Sequence, residues 1–190
     1  MSKYKIIALI GEAGSGKDTL MKEILKAFPG LHEIISCTTR PPREGEVHGK
    51  NYFFLTDEEF AAKVLNMEMF EATSFRDWFY GTSIDSLDET VINIGVFNPD
   101  GIDALLESPD VDVDVYYVCA QAKTRLLRQL NRENDPDVDE IIRRYRTDQE
   151  DFADLDFNYT ELPNETKEDL NRAVLYIGGS LGTSEDFGQK

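Results

Sequence analysis

Gly11-Glu12-Ala13-Gly14-Ser15-Gly16-Lys17 decides how the rest of this chain is read. The heptapeptide matches G-x-x-x-x-G-K, and its surroundings suit the match. Residues 5–10 before it form a continuous apolar run, the pattern of a buried parallel strand. Residues 19–28 after it have helical spacing, with Leu20, Ile24 and Leu25 on one side and Pro29-Gly30 as a stop. A strand, a glycine loop and a helix in that order make a phosphate cradle. The glycines let backbone N–H groups turn inward, and the helix N-terminus adds its positive dipole. Gly11, Ala13, Gly14, Ser15, Gly16, Lys17, Asp18 and Thr19 are therefore the expected binding set for a nucleoside triphosphate, with Lys17 reaching the β- and γ-phosphates. Asp18 stands where the motif has the Ser or Thr that holds Mg²⁺. A carboxylate can hold that ion directly or through its waters, so Asp18 is the candidate metal ligand.

Outward from the loop, β and α patterns alternate. Apolar runs over 33–37, 90–96, 113–119 and 157–162 read as strands, and 99–106, 122–131, 138–153 and 167–176 as helices. Residues 38–85 break the alternation with a turn-rich start, a helix opened by Thr56-Asp57-Glu58-Glu59 and aromatic-rich strands. The fold class is α/β: a P-loop doubly wound parallel sheet with a small antiparallel insertion that would bind the monophosphate, and a short helical lid. One domain is expected over 1–177, with core 1–37 and 86–177, insertion 38–85 and lid 128–146. Residues 178–190, rich in Gly, Ser and charge, are expected to be a disordered tail.

The 190 residues carry a net charge of −17, which argues against non-specific nucleic-acid binding. No run reaches the length of a membrane span, and residues 1–10 lack the features of a signal peptide. Cys37 and Cys119 form no C-x-x-C pair and read as buried thiols in a reducing, cytoplasmic setting. His32 and His48 suit the surface. Monomer and homodimer both remain open. In a chain this acidic, the arginines cluster: Arg40 with Arg43 near Lys17, and Arg125, Arg128, Arg132, Arg143, Arg144 and Arg146 further on. Arg40 and Arg43 are three apart across a stiff Pro-Pro pair, so two guanidinium forks could grip one phosphate dianion. Arg128 and Arg132 share a helix face.

Ser36-Cys37-Thr38-Thr39-Arg40-Pro41-Pro42-Arg43-Glu44-Gly45-Glu46-Val47-His48-Gly49-Lys50-Asn51-Tyr52 resembles the signature of the guanylate kinase family. Phe70-Glu71 and Phe79-Tyr80-Gly81-Thr82 have the spacing of the family's second block, and the resemblance runs to about residue 175. It implies ATP as donor with Mg²⁺, and GMP or dGMP as acceptor. It assigns the acceptor phosphate to Arg40, Arg43, Tyr52 and Tyr80. It gives the base to Ser36 and Glu71, with Thr82 nearby, and the transferring phosphoryl group to Lys17, Arg128, Arg132 and Arg144. A carboxylate suits guanine, which offers N1–H and a 2-amino group where adenine offers a lone pair. Alone, Glu71 reads as an exposed strand residue, and the tyrosines as core. The family has aspartates where this chain has Asn93 and Gly95, which keeps open a kinase for another or modified (deoxy)nucleoside monophosphate. A non-catalytic guanylate-kinase-like binding module and a hydrolysing or signalling NTPase fit less well, because Lys17, the lid arginines and the Arg40–Arg43 trap are all present.

Overall fold

Aliphatic runs set the frame. In the computed structural model, which describes residues 2–42, 45–75, 77–132 and 135–183, β1 (Tyr4–Ile10) is buried at every position but Lys5. α1 (Lys17–Ala27) turns Leu20 and Ile24 inward. Short strands β2 (His32–Glu33), β3 (Cys37–Thr38) and β4 (Phe53–Phe54) follow. α2 (Asp57–Leu65) starts at a reciprocal cap between Thr56 and Glu59, which satisfies two N–H groups that no helical bond reaches. After it come β5 (Met69–Phe75), β6 (Trp78–Ser83) and β7 (Ile92–Val96). α3 (Pro99–Glu107) combines an Asn98 cap with proline at its first position. The chain ends through β8 (Val111–Cys119), α4 (Ala122–Leu130), α5 (Val138–Asp151), β9 (Thr160–Pro163) and α6 (Lys167–Thr183).

The main sheet has strand order β2-β7-β1-β8-β9, and the β2–β7 and β8–β9 pairs are parallel. A second sheet, in order β4-β3-β6-β5, carries the insertion. The chain divides into two compact units: residues up to 8 with 30–114, and 9–29 with 115 onward.

The α/β frame and the insertion are as the pattern predicts, with local differences. The apolar run over 33–37 is split: His32–Glu33 pairs with β7, while Cys37–Thr38 pairs with β4 and β6. The insertion sheet is mixed, because β3 and β4 run parallel and the other pairs antiparallel. α6 continues through Gly178-Gly179 to Thr183, where an irregular tail was expected. Within that helix Phe28 fills the space a Cβ at position 178 would need, its ring atom 2.3 Å from that point, so the position suits glycine despite its weak helix propensity. The expected disorder of 184–190 lies outside the described residues. Cys37 is buried, but Cys119 only partly so.

Asn93, which stands where the resembled family has an aspartate, is a structural residue here. It is fully buried on β7 and its amide is consumed locally. Oδ1 accepts from the Asp88 N–H (2.8 Å), and Nδ2 donates to the carbonyls of Asp88 (2.8 Å) and Lys5 (3.2 Å). An aspartate here would face two carbonyl oxygens with no proton to offer. Asn93→Ala is expected to cost about 2–3 kcal/mol in chemical denaturation, since it leaves buried backbone groups unpaired. Gly95 has no room for a carboxylate either. A Cβ there would lie 2.9 Å from Cε2 of Phe97 and 3.1 Å from Cβ of Ile34.

Candidate functional site: a phosphate loop and a buried carboxylate

The glycine loop between β1 and α1 has the backbone that only glycine adopts freely. Gly14 has φ +81° and Gly16, the cap of α1, φ +93°. Each is also hemmed in: a Cβ on Gly14 would lie 2.5 Å from the Arg125 carbonyl oxygen, and one on Gly16 2.4 Å from Nδ2 of Asn164. Side chains from later in the chain hold the loop by its carbonyls. Asn164, buried after β9, donates to the Ser15 carbonyl at 2.8 Å. Gln129 donates to the Ala13 carbonyl at 3.3 Å. Lys17 opens α1, and Asp18 and Thr19 are exposed in its first turn.

Arg128 differs from its expected role. Nη1 donates to the carbonyls of Gly14 (3.2 Å) and Ser15 (3.0 Å), and Nη2 to those of Asn164 (2.8 Å) and Glu165 (3.2 Å). Four carbonyls occupy the fork, so Arg128 ties the loop to the start of α6. Arg144 on α5 bonds Glu140 through Nε at 2.7 Å. Burial opposes ionisation of Glu140, yet the bonds from Arg143 and Arg144 hold its carboxyl down at about 2. Arg132 is exposed and makes no side-chain hydrogen bond or ion pair among the described residues.

Two residues at this end were given no role by the sequence: Asp148 went unmarked, and Arg125 was noted only as one of the clustered arginines. Asp148 on α5 is buried, and its Oδ2 accepts from the Ala13 N–H at 2.7 Å. Arg125 on α4 is 5 % exposed and lies 3.0 Å from Oε1 of Glu12, whose Oε2 accepts from the Tyr117 hydroxyl at 2.8 Å. Among the described residues Nε of Arg125 is buried without a hydrogen-bond partner. The signal for Asp148 was available. Ile141, Tyr145, Asp148 and Phe152 fall on one helical face, and a carboxylate in that stripe is out of place.

The insertion brings the other expected residues into two groups. In the first, Arg40 is 4 % exposed and clasps Glu46 with both guanidinium nitrogens, Nη1 at 2.9 Å and Nη2 at 3.0 Å. Its guanidinium carbon lies 5.5 Å from the Tyr52 ring centre, and the Tyr52 and Tyr80 rings meet edge-on at 6.1 Å. Arg40, Tyr52 and Tyr80 are thus together, and Glu46 is a partner the sequence reading did not assign. Arg43 lies outside the described residues.

In the second group, Glu71 on β5 is buried, against the reading of an exposed strand position. Its Oε1 accepts from the Thr82 hydroxyl at 2.8 Å, from the directly paired residue on β6. Its Oε2 lies 3.8 Å from where a Gly101 Cβ would stand, in the first turn of α3. Burial pushes the Glu71 carboxyl up to about 7 despite the Thr82 bond. Ser36 precedes β3, which β6 separates from β5. Among the described residues no hydrogen bond joins its side chain to Glu71.

A glycine phosphate loop between a buried strand and a helix, set in a parallel sheet, defines the P-loop class of α/β proteins. The guanylate kinase family model matches residues 3–174, and the chain belongs to that family. It is 37 % identical over 145 residues to a guanylate kinase of Geobacter metallireducens, covering 70 % of this chain and 66 % of the relative. It is 32 % identical over 180 residues to a guanylate kinase of Thermotoga maritima, covering 92 % and 86 %. The chain spans 51 % of the length of a Synechococcus elongatus guanylate kinase that it also matches. Among solved structures, a guanylate kinase from Anaplasma phagocytophilum superposes with TM-score 0.70 over 98 % of this chain and 88 % of that one, at 20 % identity. No described helix is long and apolar enough to cross a membrane.

Proposed function

We propose that this chain transfers the γ-phosphoryl group of ATP to GMP or dGMP. The observation that carries the reading is Glu71: a buried carboxylate fixed on one oxygen by the Thr82 hydroxyl, on the strand paired with its own. Guanine alone among the common bases offers two adjacent donors to such a group. The phosphate loop supplies the donor end through its backbone N–H groups and Lys17. Arg132 and Arg144 balance the charge of the transferring group, while Arg128 keeps the loop in shape. No general base is needed, because the acceptor is an ionised phosphate oxygen. Mg²⁺ fits this donor set as an ion held chiefly by phosphate oxygens and water, with Asp18 as the one carboxylate in the first turn of α1. Among the described residues no group of three or more His, Cys, Asp or Glu side chains forms a cage for a metal. When bound, Mg²⁺ would neutralise phosphate charge. The two free thiols fit a cytoplasmic setting.

The test follows the label. With ATP radiolabelled at the γ position, label is expected in the β-phosphate of GDP, only when GMP is present. Label released as inorganic phosphate at the same rate without GMP would make the chain a hydrolase.

Arg40 gives a second check. Arg40→Ala is expected to raise KM for GMP at least about tenfold, since a charge-assisted bond is worth about 1.5–3 kcal/mol. ATP affinity should barely change. Equal losses for both nucleotides would remove Arg40 from the acceptor site.

Acid gives a third. Guanine readout needs the carboxylate, and the Glu71 carboxyl is pushed up to about 7. KM for GMP should therefore rise as pH falls from about 8 to about 6, and Glu71→Gln should flatten the profile. For stability the sign is opposite. Between its ordinary value of 4.5 and about 7 the folded state holds the proton more tightly than the unfolded chain. Glu71 thus favours folding at low pH, and that contribution is lost as pH rises through 7.

A further inference from the structure

Asp148 is not needed for the chemistry above, yet it holds a place at the phosphate loop. It sits on the inner face of α5, buried, with its Oδ2 on the Ala13 N–H. The groups that face it are Lys17 from α1, Arg125 from α4 and Glu12 from the loop itself. Burial pushes its carboxyl up, while the Ala13 N–H and the positive charges of Lys17 and Arg125 pull it down. Glu12 is in turn engaged by Arg125 and Tyr117. The charged side chains around the loop therefore include three cations, Lys17, Arg125 and Arg128, and two carboxylates, Glu12 and Asp148. A loop whose task is to receive a triphosphate of several negative charges has part of its positive charge already offset by carboxylates before that ligand arrives.

We propose that Asp148 is an internal counter-anion of the phosphate loop, a positioning residue that steadies the empty loop and lowers its affinity for the nucleotide. The proposal rests on the reading that this loop holds the phosphates of ATP. The carboxylate orients the loop through the Ala13 N–H and draws on the Lys17 charge. The arriving phosphates must share that charge with a fixed anion in a poorly hydrated place, where screening is weak. The loop gains order when empty and gives up part of its attraction for a polyanion. Such an exchange of affinity for stability is common at functional sites.

The test is calorimetric titration of the whole chain with Mg·ATP, and separately with GMP. Asp148→Asn keeps an oxygen that can accept from the Ala13 N–H and removes only the charge. It is expected to lower Kd for ATP by about fivefold, to leave Kd for GMP unchanged, and to lower Tm of the ligand-free protein. Glu150→Gln, an equal charge change at an exposed position two residues along the same helix, should leave both Kd values as they are. If Asp148→Asn does not fold, Asp148→Ser, smaller and still able to accept the same bond, carries the same expectation. An ATP Kd that is unchanged or weaker in the folded variant overturns the proposal, as does equal tightening by Glu150→Gln. A wild-type chain that binds no ATP would instead overturn the reading of the loop itself, so the two failures are distinct.

Discussion

Replacing Glu71 with Gln is expected to lower kcat/KM for GMP by about 100-fold and to collapse the preference for GMP over AMP. The size follows from what the pocket offers. Glu71 is buried with its Oε1 already fixed by Thr82, so its second oxygen and remaining lone pairs are what a base meets. A glutamine amide keeps one acceptor and turns a donor toward the other. Against guanine it meets N1–H or the 2-amino group head-on. The loss of one charge-assisted bond plus one unpaired buried donor is worth about 3 kcal/mol. Against adenine the same amide gains a partner in N1. Steady-state kinetics on GMP and AMP with both proteins measure the effect. A variant that keeps its GMP preference would move base recognition elsewhere.

Lys17→Ala is expected to lower kcat by about two to three orders of magnitude with little change in Tm. Lys17 begins α1 directly after the left-handed Gly16, so its ammonium is delivered by backbone that glycine alone adopts freely. Charge develops on the transferring group, and a preorganised cation aimed there is worth about 3–4 kcal/mol. Single-turnover rates with saturating ATP and GMP separate this from weaker binding. Loss of affinity with an unchanged rate constant would make Lys17 a binding residue only.

The phosphate loop was legible because its glycines are demanded by backbone geometry, and geometry of that kind leaves a sequence trace. Both Gly14 and Gly16 have positive φ and no space for a side chain. The insertion was legible through its resemblance, and Arg40, Tyr52 and Tyr80 lie together in it. The tertiary partners of those residues were less visible. Nothing in the spacing says that Arg128 ends on four main-chain carbonyls, because carbonyls carry no residue-specific signature. Alone, Glu71 reads as an exposed strand residue, and the approach of Gly101 on α3, distant in sequence, leaves no local trace. Asn93 reads from the sequence only as a replaced aspartate, yet its amide holds the turn before β7. Asp148 was readable in principle, as a carboxylate on an apolar helix stripe, but its partner is a backbone N–H 135 residues away.

The most direct measurement of the account is the coupled rate of ADP release with ATP and each common nucleoside monophosphate and deoxynucleoside monophosphate in turn. GMP or dGMP is expected to give the highest kcat/KM, and AMP and the pyrimidine nucleotides to fall below it by several orders of magnitude. An AMP or pyrimidine nucleotide that matched GMP and dGMP would contradict guanine recognition by Glu71, and ADP release independent of any acceptor would contradict the kinase itself.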